Sequence, residues 1–242
     1  MSAAAFRLLP RPAEKAGAWI AGRLARLFVV LRLTPNTFTV LGLIASLAAG
    51  YFLAVRRPLA AGLLIAAAGF LDMLDGQVAR LTGRRTRFGA LLDSSLDRYA
   101  EFALYGGLAY HFRGRWIEGL AALAFLGSVM VSYTRARAEG LGFECRKGLM
   151  QRAERLIALG LACLAACLFP VYDAAMTAVL ALTAAASHVT ALQRLGLVRK
   201  ADRTGGKDGK NLTINEASTD RSWPLKASDL EKAPAQSNTP RA

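Results

Sequence analysis

The chain has 242 residues, of which 54% are hydrophobic and 20% charged, with a mean hydropathy of +0.30 and a formal net charge of +14. That combination excludes an ordinary soluble domain and describes an integral membrane protein with basic flanks. Residues 1–200 hold 24 Lys and Arg against 11 Asp and Glu, and residues 201–242 hold 7 against 6, so the basicity belongs to the apolar part. We assign it to the bilayer and not to nucleic acid.

Residues 1–33 read as an amphipathic juxtamembrane segment. Within AEKAGAWIAGRLARLFVVLRL, Trp19, Ile20, Leu24, Leu27 and Phe28 stand against Lys15, Arg23 and Arg26, the pattern of a helix lying in the headgroup region. A seventh span is the competing reading, and those charges argue against it. No short apolar core precedes a small-residue cleavage site, so the first spanning helix is expected to signal insertion.

Residues 34–200 form the second unit. Crossing about 30 Å of hydrocarbon at about 1.5 Å per residue needs roughly 20 apolar residues. Six segments approach that length: Thr37 to Val55, Pro58 to Leu74, Ala90 to Phe112, Trp116 to Tyr133, Leu156 to Pro170 and Val171 to Leu192. The second helix is expected to continue through polar sequence to Leu81. The predicted fold is therefore an all-α integral membrane protein, with six transmembrane helices preceded by an amphipathic interfacial helix. The links RRP, HFRGRW and PVYD are short, and the others are long and basic. If both termini share one side, that side receives 20 of the 24 Lys and Arg of residues 1–200. The positive-inside bias then puts both termini on the cytoplasmic side of a multi-pass protein of the cell (inner) membrane.

Residues 201–242, entered through GGKDGKN, read as a polar, disordered tail. Cys145, Cys163 and Cys167 are odd in number and lack metal-site spacing, which suits small core residues. His111 is expected in an outer loop, His188 as a structural histidine in the sixth span, and Trp19 and Trp116 as interfacial anchors. Glu139 and Glu154 are expected to pair with nearby arginines.

The stretch that composition does not explain is DMLDGQVARLTGRRTRFGALLDSSLD, Asp72 to Asp97, which holds four of the eleven acids of residues 1–200. Ionised carboxylates are costly beside hydrocarbon unless paired, hydrated or metal-bound. Asp72 and Asp75 are three residues apart, and Asp93 and Asp97 four, so on helices each pair shares a face. Ordinary pairing with Arg84, Arg85, Arg87 and Arg98 is the plainer alternative. Four acids in register, joined by a short loop, instead call for hard cations such as Mg²⁺, Mn²⁺ or Ca²⁺. Two such ions are the usual clamp for displacement at phosphorus. Gly76, Ala79 and Gly89 leave room for close approach, and Arg80 offers a planar fork to phosphate oxygens.

Read from Asp72, the chain gives D-x-x-D-G-x-x-A-R, eight residues, then G-x-x-x-D-x-x-x-D. All eight fixed positions match the signature of the CDP-alcohol phosphatidyltransferase family, which the chain resembles from about Leu33 to Lys200. The resemblance implies Asp72, Asp75 and Asp93 as ligands of a two-metal Mg²⁺ or Mn²⁺ site, with Asp97 sharing a metal and acting as general base. It implies that the CDP-lipid is held by Gly76, Ala79, Arg80, Thr86 and Gly89, together with Pro35, Asn36, Thr37 and Phe38 at the head of the first span. The implied reaction moves a phosphatidyl group from CDP-diacylglycerol to an alcohol and releases CMP, and the implied assembly is a homodimer.

Arg135, Arg152, Arg155 and Arg194 are expected at span ends on the same side. Anchoring explains any one of them, but together they suggest a phosphorylated polyol acceptor. Within the family, FGALLDSSLDRYAE, YTRARAEG and QRAERL are similar to enzymes that use inositol phosphate. Glycerol 3-phosphate enzymes more often show proline after the third aspartate and lysine after the fourth, where this chain has Ser94 and Arg98. From another class, a cation-coupled transporter is the alternative; its site is expected near the midplane, whereas these acids sit at span ends.

Overall fold

Proline opens the first two helices, at a position where its missing N–H costs nothing and its fixed φ suits the first turn. These are α1 (Pro35–Ala54) and α2 (Pro58–Leu81). The helix α3 (Arg87–His111) starts at Thr86, whose hydroxyl accepts from the Gly89 N–H at 2.9 Å. Then come α4 (Trp116–Gly140), α5 (Arg152–Leu168) and α6 (Tyr172–Arg203). A reciprocal Gln151–Glu154 capping box starts α5, so Glu154 closes a helix end and, among the described residues, has no ion pair with the arginine expected for it.

The computed structural model describes residues 22, 23, 25, 26, 28, 29 and 34–203, apart from 84, 85, 144, 146 and 147. Lys15, Trp19, Ile20, Leu24, Leu27, Arg84, Arg85, Arg146, Lys147 and the tail from residue 204 lie outside the described residues. Those described between 22 and 29 are helical, with Ala25 buried and Arg23 and Arg26 exposed, in keeping with an amphipathic segment.

The helices reproduce the six expected segments, with α2 ending at Leu81 as expected. Four of them, α1, α2, α4 and α6, are long and apolar enough to cross a membrane. The helix α3 carries Arg87, Asp93, Asp97, Arg98 and Glu101, and α5 has 17 residues. This is a multi-pass, all-helical membrane protein. Leucines such as Leu59, Leu63, Leu168 and Leu192, each 64–67% exposed, turn outward as a lipid-facing belt must.

One core joins all six helices through Leu53, Ile65, Leu104, Leu108, Ala124, Leu159, Met176 and Leu180. About one turn before their ends at Ala54 and His111, α1 and α3 meet without side chains between them. A Cβ built on Gly50 would lie 2.2 Å from the Ala103 carbonyl oxygen, and one on Gly107 2.1 Å from that of Gly50. Small residues let membrane helices approach this closely, where packing and not the hydrophobic effect drives association.

At one end of the bundle the three short links are tied to a single carboxylate. Asp173 Oδ1 meets His111 Nε2 at 3.0 Å and Arg56 Nη2 at 4.0 Å, while Oδ2 accepts from Arg115 Nη1 at 2.9 Å. His111 is thus the last residue of α3 and not part of an outer loop: its ring reaches Asp173 and the Ala54 carbonyl oxygen. His188 is structural as expected, with Nε2 3.2 Å from the Leu123 carbonyl oxygen.

Candidate active site

The other end of the bundle carries the acids. The link between α2 and α3 reverses the chain, so one helical turn of each, Asp72/Asp75 and Asp93/Asp97, faces the other. Carboxylate oxygens of Asp72, Asp75 and Asp93 lie within 4.8 Å of one another. Thr39 Oγ1, from the second turn of α1, donates to Asp75 Oδ2 at 3.1 Å. Asp93 Oδ1 is buried and has no hydrogen-bond partner among the described residues. Converging oxygen donors with a buried lone pair left over fit a hard divalent cation, which these three residues could hold.

Asp97 stands beside this trio in a different environment. Its side chain is 17% exposed, Oδ1 forms an ion pair with Arg152 Nη2 at 2.7 Å, and Oδ2 lies 3.7 Å from Arg98 Nη2. Arg152 reaches across from the first turn of α5 and also donates through Nη1 to Asp72 Oδ1 at 3.1 Å. One guanidinium therefore links the two aspartate pairs. Thr39, Leu43, Leu96, Ala100 and Arg152 line the cleft together with the four carboxylates.

The expected donor-binding residues do not line the cleft but stand at helix ends: Pro35 to Phe38 at the start of α1, Gly76 to Arg80 at the end of α2, and Thr86 and Gly89 at the start of α3. A Cβ on Gly89 would come 3.0 Å from Thr86 Oγ1 and 3.5 Å from Asn36 Oδ1, so the head of α1 meets the head of α3 here and a side chain would press on the Thr86 cap. Pro35 opens α1, and Thr37 shares a 3.0 Å hydroxyl contact with Thr34. Arg80 is exposed and folds back, its Nε donating to the Gly76 carbonyl at 3.0 Å beside Ala79. Two residues serve the scaffold. The Thr86 hydroxyl is engaged as the α3 cap. Phe38, expected at the lipid nucleotide, is 2% exposed against Leu74 and Val78, its ring 5.1 Å from Phe28, so it belongs to a second small core.

The four expected acceptor arginines separate. Arg152 lines the cleft, and Arg135 is exposed and paired with Glu139 Oε1 at 2.8 Å. Arg155 does not open onto the cleft: at 2% exposure it donates to Glu101 Oε1 at 2.5 Å, because α5 starts at Arg152 and Arg155 lies one turn inside. Arg194 is 3% exposed and donates to the Val131 carbonyl.

Sequence reasoning passed over Thr39 and Glu101. Thr39 directly follows the P-N-T-F stretch but reads as the start of an apolar span. Glu101 was legible: Asp93, Asp97 and Glu101 repeat every four residues, which puts all three on one face of α3.

Fold and cleft together define a multi-pass membrane enzyme whose acidic centre is assembled from helix ends at one face of the bundle. The family model for CDP-alcohol phosphatidyltransferase matches residues 32–192. The chain belongs to that family. Over 196 residues it is 37% identical to a phosphatidylinositol phosphate synthase of Mycobacterium tuberculosis, covering 78% of this chain and 90% of that one. An archaetidylinositol phosphate synthase of Pyrococcus horikoshii is 37% identical over 143 residues, covering 59% of this chain and 75% of its own length. Among solved structures, the crystal structure of the M. tuberculosis synthase with CDP-DAG bound superposes with a TM-score of 0.68 at 33% identity, covering 74% of this chain and 93% of that one. The same enzyme in complex with manganese and citrate gives 0.67 at 33% identity, covering 74% and 88%.

Proposed function

We propose that this chain transfers the phosphatidyl group of CDP-diacylglycerol to a hydroxyl of inositol phosphate and releases CMP. The observation that carries the reading is the trio Asp72, Asp75 and Asp93, whose oxygens converge within 4.8 Å in the eight-position motif beside the Arg152 guanidinium. The names of the relatives, phosphatidylinositol phosphate and archaetidylinositol phosphate synthase, support the acceptor.

In this reading Asp72, Asp75 and Asp93, with Asp97 at their edge, hold a pair of Mg²⁺ or Mn²⁺ ions. When bound, the ions neutralise the pyrophosphate of the donor and the charge that develops on the leaving CMP. Asn36, Thr37, Gly76, Ala79, Arg80 and Gly89 form the rim that receives the CDP group, and Pro35, Phe38 and Thr86 hold that rim in shape. Arg152 supplies a guanidinium to the acceptor phosphate, and exposed Arg135 is the second donor. Arg155 and Arg194 stiffen the wall behind them. Asp97 takes the proton of the acceptor hydroxyl as its oxygen bonds to the phosphorus that bears the lipid. The phosphorus–oxygen bond to CMP breaks, and the electron pair leaves with CMP.

The same reading takes all six helices as spanning, with the segment before α1 lying at the interface. It puts the acidic end on the cytoplasmic side of the cell membrane and the protein in a homodimer. The test is CMP release by purified protein from CDP-diacylglycerol with Mg²⁺ or Mn²⁺ and a panel of acceptors. Release with inositol phosphate is expected. Release only with glycerol 3-phosphate overturns the acceptor, and none with any acceptor overturns the enzyme.

A further inference from the structure

Glu101 is a carboxylate only 2% exposed, inside the bundle and one turn of α3 beyond Asp97. Its partners come from three helices. Ser128 Oγ of α4 donates to Oε2 at 2.5 Å, Arg155 Nη2 of α5 donates to Oε1 at 2.5 Å, and Arg98 Nε of α3 lies 3.5 Å from Oε2. Charges of alternating sign thus run from the cleft into the bundle: Asp72, Arg152, Asp97, Arg98, Glu101, Arg155.

Arg98 is the member that two carboxylates compete for. Its Nη1 donates to Ser132 Oγ of α4, its Nε faces Glu101, and its Nη2 stops 3.7 Å from Asp97 Oδ2. A guanidinium–carboxylate hydrogen bond closes to about 2.7–2.9 Å, so Arg98 lends Asp97 its field without occupying that oxygen. The other oxygen, Oδ1, is already taken by Arg152 at 2.7 Å. Oδ2 is therefore the atom of Asp97 left for chemistry. An ion pair serving stability alone needs one arginine, and Arg155 fills that role for Glu101. The second arginine hangs between two carboxylates, 3.5 Å from Glu101 and 3.7 Å from Asp97, its Nε without a hydrogen-bond partner and its Nη1 anchored on Ser132.

We propose that Glu101 is a positioning residue which, with Ser132, holds the Arg98 guanidinium back from Asp97 and keeps Asp97 Oδ2 open to the acceptor hydroxyl and to metal. The proposal rests on the reading of Asp97 as base and metal neighbour. Without Glu101, Arg98 closes onto Asp97 and fills Oδ2.

The test is a double-mutant cycle on the full-length protein, with Glu101→Gln made in the wild type and in an Arg98→Met background. Two readouts are taken: kcat and KM for CMP release, and Mn²⁺ affinity from the EPR signal of free ion, without substrates. In the wild-type background Glu101→Gln is expected to lower kcat about tenfold and weaken Mn²⁺ binding by a similar factor, with KM for CDP-diacylglycerol within about twofold. In the Arg98→Met background the same substitution is expected to change either quantity less than about twofold. Equal losses in both backgrounds, or no loss in the wild type, overturn the proposal. Where Glu101→Gln fails to fold because Arg155 loses its counter-ion, Ser132→Ala takes its place in the cycle. A loss confined to the wild-type background then supports the proposal, and an equal or absent loss overturns it. If inositol phosphate yields no CMP with wild-type protein, the proposed acceptor fails, and the Mn²⁺ arm still decides the role of Glu101.

Discussion

Gly107→Ala puts a methyl group where α1 and α3 have no room for one. The added Cβ would sit 2.1 Å from the Gly50 carbonyl oxygen and 2.7 Å from its carbon, where ordinary contact begins at 3.4 Å. The obstacle is backbone on both sides, so no rotamer change relieves it and the helices must part by more than about 1 Å. Overpacking of that kind costs about 1–3 kcal/mol, or about 2–10 °C in Tm for a domain of this size. The functional loss is larger, because α1 carries Asn36 and Thr39 and α3 carries Asp93, Asp97 and Gly89. Separating the helices shifts Asn36 and Thr39 relative to Gly89, Asp93 and Asp97, and misplacement by about 1 Å at a reacting centre costs on the order of 100-fold in rate. Thermal unfolding in detergent and CMP release on the same preparation measure both effects. A variant that keeps wild-type Tm and turnover would refute the claim that this crossing sets the geometry of the cleft.

Three further outcomes are expected. Asp97→Asn abolishes turnover yet retains CDP-diacylglycerol binding better than Asp75→Asn, measured by equilibrium binding; equal loss in both contradicts the base role. Chelation by EDTA stops CMP release, and added Mg²⁺ or Mn²⁺ restores it; turnover that persists in EDTA removes the metal from the reading. Asp173→Asn, at the opposite end of the bundle, lowers Tm by a few degrees while kcat stays within about twofold, and a large fall in kcat with unchanged Tm would overturn its purely architectural assignment.

What the sequence made legible was local. Helical register alone brings Asp72 to Asp75 and Asp93 to Asp97, and a short link between apolar segments brings the pairs together. Apolar length gave the helices, because hydropathy and spacing act within one element. The misses come from phase and from contacts between elements. Arg155 read as a span-end cation like Arg152, but three residues further along α5 is nearly a full turn deeper, where only an ion pair with Glu101 is tolerable. Phe38 lies in the expected rim stretch, yet the helix turns it toward Phe28 and Val78. Gly50 and Gly107 are two of 22 glycines, and nothing in the sequence says that these two meet. The membrane count shows the same tension: α3 is among the six expected segments, yet because it must carry the aspartates and Glu101 it is not among the four helices apolar enough to cross a membrane.

The Asp173 knot has a mechanical consequence. It ties the three short links to one carboxylate, and the Gly50–Gly107 crossing clamps α1 to α3 about one turn from that same end, close to Ala54 and His111. Both restraints therefore act far from the acids, like the hinge of a pair of tweezers. The heads of α1 and α3, where Asn36, Thr86 and Gly89 come together, are the tips of that pair, held by neither restraint.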